Sequence, residues 1–329
     1  MTILDLAAAN LLSPLLLCFA LGAVAVLLRS DLRVPEPVFN ALSIYLMLAI
    51  GLKGGVELSR LPPSAFVLPG LAALGLGVAI PLWCYALLRR VGRFGVADAA
   101  AIAAHYGSVS AVTFVAAIAY LDAARTPYEG YAPALLAIME VPAIVVAFAL
   151  ARAGGALGGG GPGGGTAGEA VREILSGKSV VLLAGGLLIG AVVGEAGYLR
   201  VKPVFSDLFQ GALCLFLLEL GILAAGRLGD FRRVGPFLAV FAVAMPVLHG
   251  ALGVAVGHAI GLSAGGMTVL GTLAASASYI AAPAAVRLAL PQANPGYYLT
   301  ASLAITFPFN LTLGLPLYNA LARWIAGGP

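Results

Sequence analysis

Charge is scarce in this sequence. Only 10% of its 329 residues are Asp, Glu, Lys or Arg, whereas a soluble globular chain carries about 25%. With 61% of residues hydrophobic, no water-soluble fold could hide the apolar surface. Cysteine is equally scarce: Cys18, Cys84 and Cys214 are an odd number, far apart, and each lies inside an apolar run. That spacing excludes a disulfide framework or a thiolate metal cage and leaves small apolar fillers. The chain lacks HExxH, GxSxG and Walker sequences, which removes the commonest hydrolase and nucleotide-driven readings. It also lacks the ten-residue alternating segments of a membrane β-barrel. The net charge of +4 is too small to argue for a nucleic-acid partner.

What the chain has is long apolar runs. A membrane span takes about 20 such residues. Ten runs qualify: 11–28, 36–53, 64–88, 97–121 and 131–151 in the first half, then 179–196, 203–226, 236–260, 265–289 and 297–325 in the second. The leader MTILDLAAAN holds an acid and no base, so the first run reads as a true span rather than a signal peptide. The expected fold is therefore an all-α polytopic membrane protein in the bilayer of a plasma (inner) membrane.

The halves resemble each other. GAV at Gly22 recurs at Gly190, and PVF at Pro37 recurs at Pro203. LAIGLKGGVEL (48–58) matches LELGILAAGRL (218–228), and SVSAVTF (108–114) matches SASYIAA (276–282). Four matches in order at nearly one offset predict two five-span repeats, 1–152 and 178–329. Five is odd, so the second repeat is inverted, as in many secondary transporters. Between them, 153–177 holds a linker with ten glycines in residues 154–168, then GEAVREILSGK, expected as a short interfacial helix. Twelve of the 18 Lys and Arg residues fall on the side of this linker, so both chain ends are expected outside and the linker in the cytoplasm.

The fourth and ninth spans lose apolar character at mid-length, at His105–Ser110 and Ala275–Tyr279. Matching breaks in inverted halves predict a binding site between them, because a helix starting at a break offers free N–H groups and the positive end of its dipole. Serines at both breaks make a cradle for a small anion, with no basic residue nearby. Glu140, mid-span, is expensive unless it serves as ligand or proton acceptor. Thr306 and Asn310, beside Pro308, read either as site residues or as repair of the proline's lost backbone bonds. Glu219 reads as a scaffold hydrogen bond, and His249 and His258 as structural or interfacial groups. The one Ser/His pair for a hydrolase is Ser108 with His105. A channel would lack saturable, gradient-coupled uptake.

At these residues the chain resembles the sodium-dependent bicarbonate transporter family of cyanobacteria and other bacteria, over nearly its whole length. The resemblance rests on GLKGGVEL (51–58), HYGSVSAVTF (105–114), IMEVPAIV (138–145), VLHGALGVAVGHAIG (247–261) and the PxANP of Pro291–Pro295. It implies an elevator-type transporter rather than an enzyme, a homotrimer without cofactors, with spans 3–5 and 8–10 as a moving core against a scaffold of spans 1, 2, 6 and 7. It implies bicarbonate held at Gly107, Ser108, Ser110, Thr113, Ser276, Ser278 and the neighbouring Tyr279. Sodium would bind close by, at Ser108, Ser278 and Glu140, with His105, Thr306 and Asn310 as further candidates for the coupling ion. Three features depart from the family. Tyr279 stands where an Asp is usual, His105 and Tyr106 replace small residues, and the linker is short where relatives carry a charged loop. The first leaves proton coupling through His105 or Glu140 as an alternative; the last bears on a PII-like regulator. An organic-anion symporter of bile-acid-transporter-like architecture is the remaining alternative.

Overall fold

The computed structural model describes residues 11–62, 64–156, 172, 175–227 and 231–327, with backbone only at Ser179 and 231–234. Most of the glycine-rich linker and of the expected interfacial helix lies outside the described residues. The described residues are almost wholly helical. The helices are α1 (Pro14–Leu27), α2 (Glu36–Ser59), α3 (Ser64–Arg90), α4 (Val96–Gly107), α5 (Ala111–Ala123), α6 (Ala132–Met139) and α7 (Pro142–Ala153). They continue as α8 (Lys178–Lys202), α9 (Phe209–Gly226), α10 (Phe231–Ala259), α11 (Ala264–Ala275), α12 (Ala281–Ala289) and α13 (Pro295–Ile325).

Local chemistry sets their ends. Ser13, Ser110, Ser263 and Asn294 each accept a first-turn amide of the helix that follows. Such side chains satisfy donors that no intrahelical carbonyl can reach. Pro14 and Pro142 sit in first turns, where a missing N–H costs nothing.

Among the described residues, seven helical stretches are long and apolar enough to cross a membrane. The ten expected runs exceed that number for three physical reasons. At 14 residues, α1 is short for a span. The pair α11 and α12 is interrupted at 276–280. Finally α8 and α9 are joined by the π turn Pro203–Asp207 into one stretch of 47 residues, Val180–Gly226. At 1.5 Å per residue that stretch is about 70 Å long, more than twice a hydrocarbon core of about 30 Å.

Two glycine-lined helix pairs pack into one block. A Cβ on Gly22 would strike the Leu218 carbonyl and crowd the Ile222 amide, and one on Gly221 would strike Phe19 and crowd Ala23, so α1 and α9 touch backbone to backbone. In α2 and α8, Gly190 meets Leu52 and Val56 in the same way, and Gly55 meets Leu187 and Ala191. Small residues permit such close crossings in lipid. The remaining helices pack as a second group around α4, α5 and α11, whose residues are almost all buried.

Two faces can be distinguished. On one, Arg323 donates to Thr126 at 2.9 Å and the Ser263 amide donates to Glu129 at 2.7 Å. This is the face where α1 begins and α13 ends. On the other, the Asn294 amide donates to Asp98 at 2.7 Å and Lys178 donates to Asn40 at 3.1 Å.

Candidate functional site

The helical backbone stops twice in the middle of the molecule. Ser108 leaves α4 with φ −83° and ψ 170°, and Ser110 enters α5 with φ −108° and ψ 111°. Ser276 leaves α11 with φ −76° and ψ 159°. These extended segments, 108–110 and 276–280, cross. The Ser110 amide donates to Ser276 Oγ at 2.9 Å, and the Ser278 amide donates to the His105 carbonyl at 2.8 Å. Ser108, Ser110, Thr113, Ser276 and Ser278 are all buried.

The hydroxyls here are committed to backbone. Ser110 Oγ accepts from Thr113 N at 3.1 Å and caps α5, while Ser278 Oγ, ahead of the Ile280 cap position, accepts the first-turn amide of Ala282 in α12 at 3.1 Å. Ser276 donates to the Leu273 carbonyl at 2.8 Å, and Ser108 donates to the Glu140 carbonyl at 3.0 Å. In α5 the caps leave the amides of Ala111 and Val112 for another acceptor. A Cβ on Gly107 would meet Pro81 and Ala143 at 2.6 and 2.7 Å, so this glycine lets α4 pack tightly. The Tyr279 hydroxyl lies beside Ser110 yet makes no well-formed hydrogen bond. Its ring packs edge-on against Phe307 at 5.1 Å.

Glu140 sits in a third interruption, between α6 and α7, and is 2% exposed. Its Oε2 has no partner. A buried carboxylate oxygen left unpaired costs several kcal/mol, so a cation or a proton is needed beside it. Carboxylate, carbonyl and hydroxyl oxygens of Glu140 and Ser108 are the donor type that a hard cation takes. Among the described residues no three His, Cys, Asp or Glu side chains converge.

Other expected site residues are placed differently. His105 lies in the last turn of α4, not in the break. Its Nδ1 meets the Ala101 carbonyl at 2.6 Å, and Nε2 is buried without a partner. The Ser108 hydroxyl hydrogen goes to Glu140 rather than to His105, which leaves no nucleophile–base pair. Thr306 donates to the Ala242 carbonyl at 2.6 Å and meets Tyr106 Oη at 2.7 Å. Ala242 is four residues before Pro246, so Thr306 repairs the carbonyl that this proline frees. Asn310 donates to the Ala275 carbonyl at 2.9 Å, closing the end of α11 at the break, and its oxygen accepts from Tyr318 at 2.8 Å. It thus touches the crossing, but as a backbone brace. Glu219 accepts the Val34 amide at 3.0 Å, and His249 Nε2 accepts from Trp83 at 2.8 Å.

A model of the Na+-dependent bicarbonate transporter superfamily matches residues 14–323. The chain belongs to that superfamily. No curated protein matches it significantly. Membership makes the chain a multi-pass transporter rather than an enzyme, with bicarbonate as the family's substrate and sodium as its coupling ion. The match spans both breaks, Glu140 and both glycine-lined pairs. Two residues carry chemistry that motif reading passed over. Lys53 and Arg125 line a cavity of about 570 Å³ between the glycine-lined block and α5. A lysine inside a span, in the quoted GLKGGVEL, was the signal that could have found the first.

Proposed function

We propose that this chain imports bicarbonate with sodium, by movement of a core against a scaffold, and that the anion binds where the two breaks cross. The observation that carries the reading is the Ser110–Ser276 bond between the breaks. It brings the start of α5 and the segment leading into α12 to one buried place, where a serine on each side accepts a first-turn amide. Amide dipoles and hydroxyls there supply partial positive charge without a formal cation. Gly107, Ser108, Ser110, Thr113, Ser276, Ser278 and Tyr279 line this place. The serine and threonine side chains here are all buried, which favours a small anion over a bulky organic one.

Ten spans in two inverted repeats, 1–152 and 178–329, are part of the same reading. The helix contacts support it. Gly22 meets Leu218 and Ile222 as Gly190 meets Leu52 and Val56, with offsets of 168 and 166 residues. The contacts of Gly221 repeat at Gly55 with the same offsets. The glycine-lined block, α1, α2, α8 and α9, is then the scaffold, and the rest is the core. Both chain ends lie outside, the linker lies in the cytoplasm, and the assembly is a homotrimer. A PII-like regulator would act from the linker side.

Sodium belongs at the Glu140 carboxylate with Ser108 and Ser278, while His105, Thr306 and Asn310 serve as structural neighbours. Proton coupling is the second reading, favoured by the same partnerless Glu140 Oε2, which a proton would also satisfy. The test is uptake of radiolabelled bicarbonate into proteoliposomes by wild type and Ser278→Ala. At least a tenfold loss in the variant, with normal folding, is expected. Equal uptake would remove the crossing as the site.

A further inference from the structure

The cavity beside α5 lies between scaffold and core. Ala49, Lys53 and Glu57 of α2 form one wall, and Phe114, Ile118 and Asp122 of α5 form the other. It sits on the face where α1 begins. Its inner end reaches Phe114, four residues from Ser110, so it approaches the crossing from that face.

Its charges are not equally engaged. Glu57 holds Arg60 at 3.2 Å, and Asp122 lies beside the Tyr128 hydroxyl. Lys53 has only a long contact, 3.5 Å, with Tyr128. Yet Lys53 lies six residues from the end of α2, roughly 9 Å inside the helix end. A cation at that depth is costly unless water or a partner meets it. Arg125 is exposed, its side chain makes no hydrogen bond or ion pair, and it lines a second cavity of about 300 Å³ along the same seam. It also holds φ 50°, a left-handed backbone that is costly for a residue with a side chain.

The other half of the chain gives an internal control. By the paired contacts of Gly55 and Gly221, 166 residues apart, Lys53 corresponds to Glu219, an acid that accepts the Val34 amide. The segment 290–294, LPQAN, follows the second broken pair as the Arg125 loop follows the first, and holds no basic residue. The architecture therefore does not require a cation at either of these two positions.

We propose that Lys53 and Arg125 form a capture site for a small oxyanion in the outer cavity, where transported bicarbonate is held before it reaches the crossing. This rests on the bicarbonate reading above. Lys53 and Arg125 act on the face of uptake; on the other face Arg227 and Arg287 lie beside the Tyr298 hydroxyl, which Arg287 engages.

The experiment measures initial bicarbonate uptake in oriented proteoliposomes for wild type, Lys53→Met, Lys53→Arg, Arg125→Gln and Arg200→Gln. Arg200 is an exposed cation on the same face that does not line the cavity. At low ionic strength KM for external bicarbonate should rise roughly three- to tenfold in Lys53→Met and Arg125→Gln. The rise should shrink at high salt, Lys53→Arg should restore the wild-type value, and Arg200→Gln should match wild type. KM for efflux should not move. Unchanged KM for uptake, an equal change in Arg200→Gln, or an equal change for efflux would overturn the proposal. If Lys53→Met does not fold, Arg125→Gln, in a surface loop, decides alone. Equilibrium binding of radiolabelled bicarbonate to the purified proteins separates the two levels. A wild type that binds but does not transport counts against the transport reading, and binding unweakened in both variants counts against the capture site.

Discussion

Ser276 joins the two breaks through one oxygen, accepting the Ser110 amide and donating to the Leu273 carbonyl. Ser276→Ala leaves a buried amide unpaired, at a cost of about 1–3 kcal/mol. A lower unfolding midpoint together with lost bicarbonate uptake is expected; a change in only one of the two would separate structure from binding. Thr306→Val should behave differently. It strips the Ala242 carbonyl of its donor and destabilises by about 1–2 kcal/mol, while KM for bicarbonate stays near wild type in the folded fraction. Glu140→Gln keeps the shape and removes the charge. The sodium concentration for half-maximal uptake should rise at least tenfold, read from uptake against sodium at fixed bicarbonate. Sequence could place the serines, because their offset repeats between the halves. It could not tell Thr306 from a ligand, because which carbonyl it meets depends on how α13 packs against the Pro246 kink of α10.

At the scale of helices, legibility follows periodicity and depth. The apolar runs fall where helices form, and the serine-rich stretches fall where α4/α5 and α11/α12 are interrupted. The break between α6 and α7 escaped notice because only Glu140 and Pro142 mark it. So did the π segments Thr300–Thr306 and Asn310–Gly314 of α13, because their polar residues, Thr306 and Asn310 among them, do not signal a wider helical turn. The glycines are a sharper case. Composition shows many, but only packing shows that Gly55 and Gly190 hold backbones in contact while Gly185 has nothing within 4 Å. Gly190→Val should therefore prevent stable assembly of α2 on α8, and Gly185→Ala should be tolerated. Fluorescence-detected size-exclusion profiles would show this as a collapsed peak against a wild-type one.

For the molecule as a whole, the proposed mechanism sets a glycine-lined scaffold against a core that carries two crossed breaks, with a cavity on the seam between them. The superfamily match supplies substrate and ion. In the proposed mechanism helix starts and hydroxyls take the anion, and the partnerless carboxylate oxygen of Glu140 takes the cation. The most direct test is radiolabelled bicarbonate uptake into proteoliposomes under an inward sodium gradient, an inward proton gradient, or neither. The account predicts accumulation above equilibrium only with the sodium gradient. Accumulation driven by the proton gradient alone would contradict it and assign Glu140 to protons.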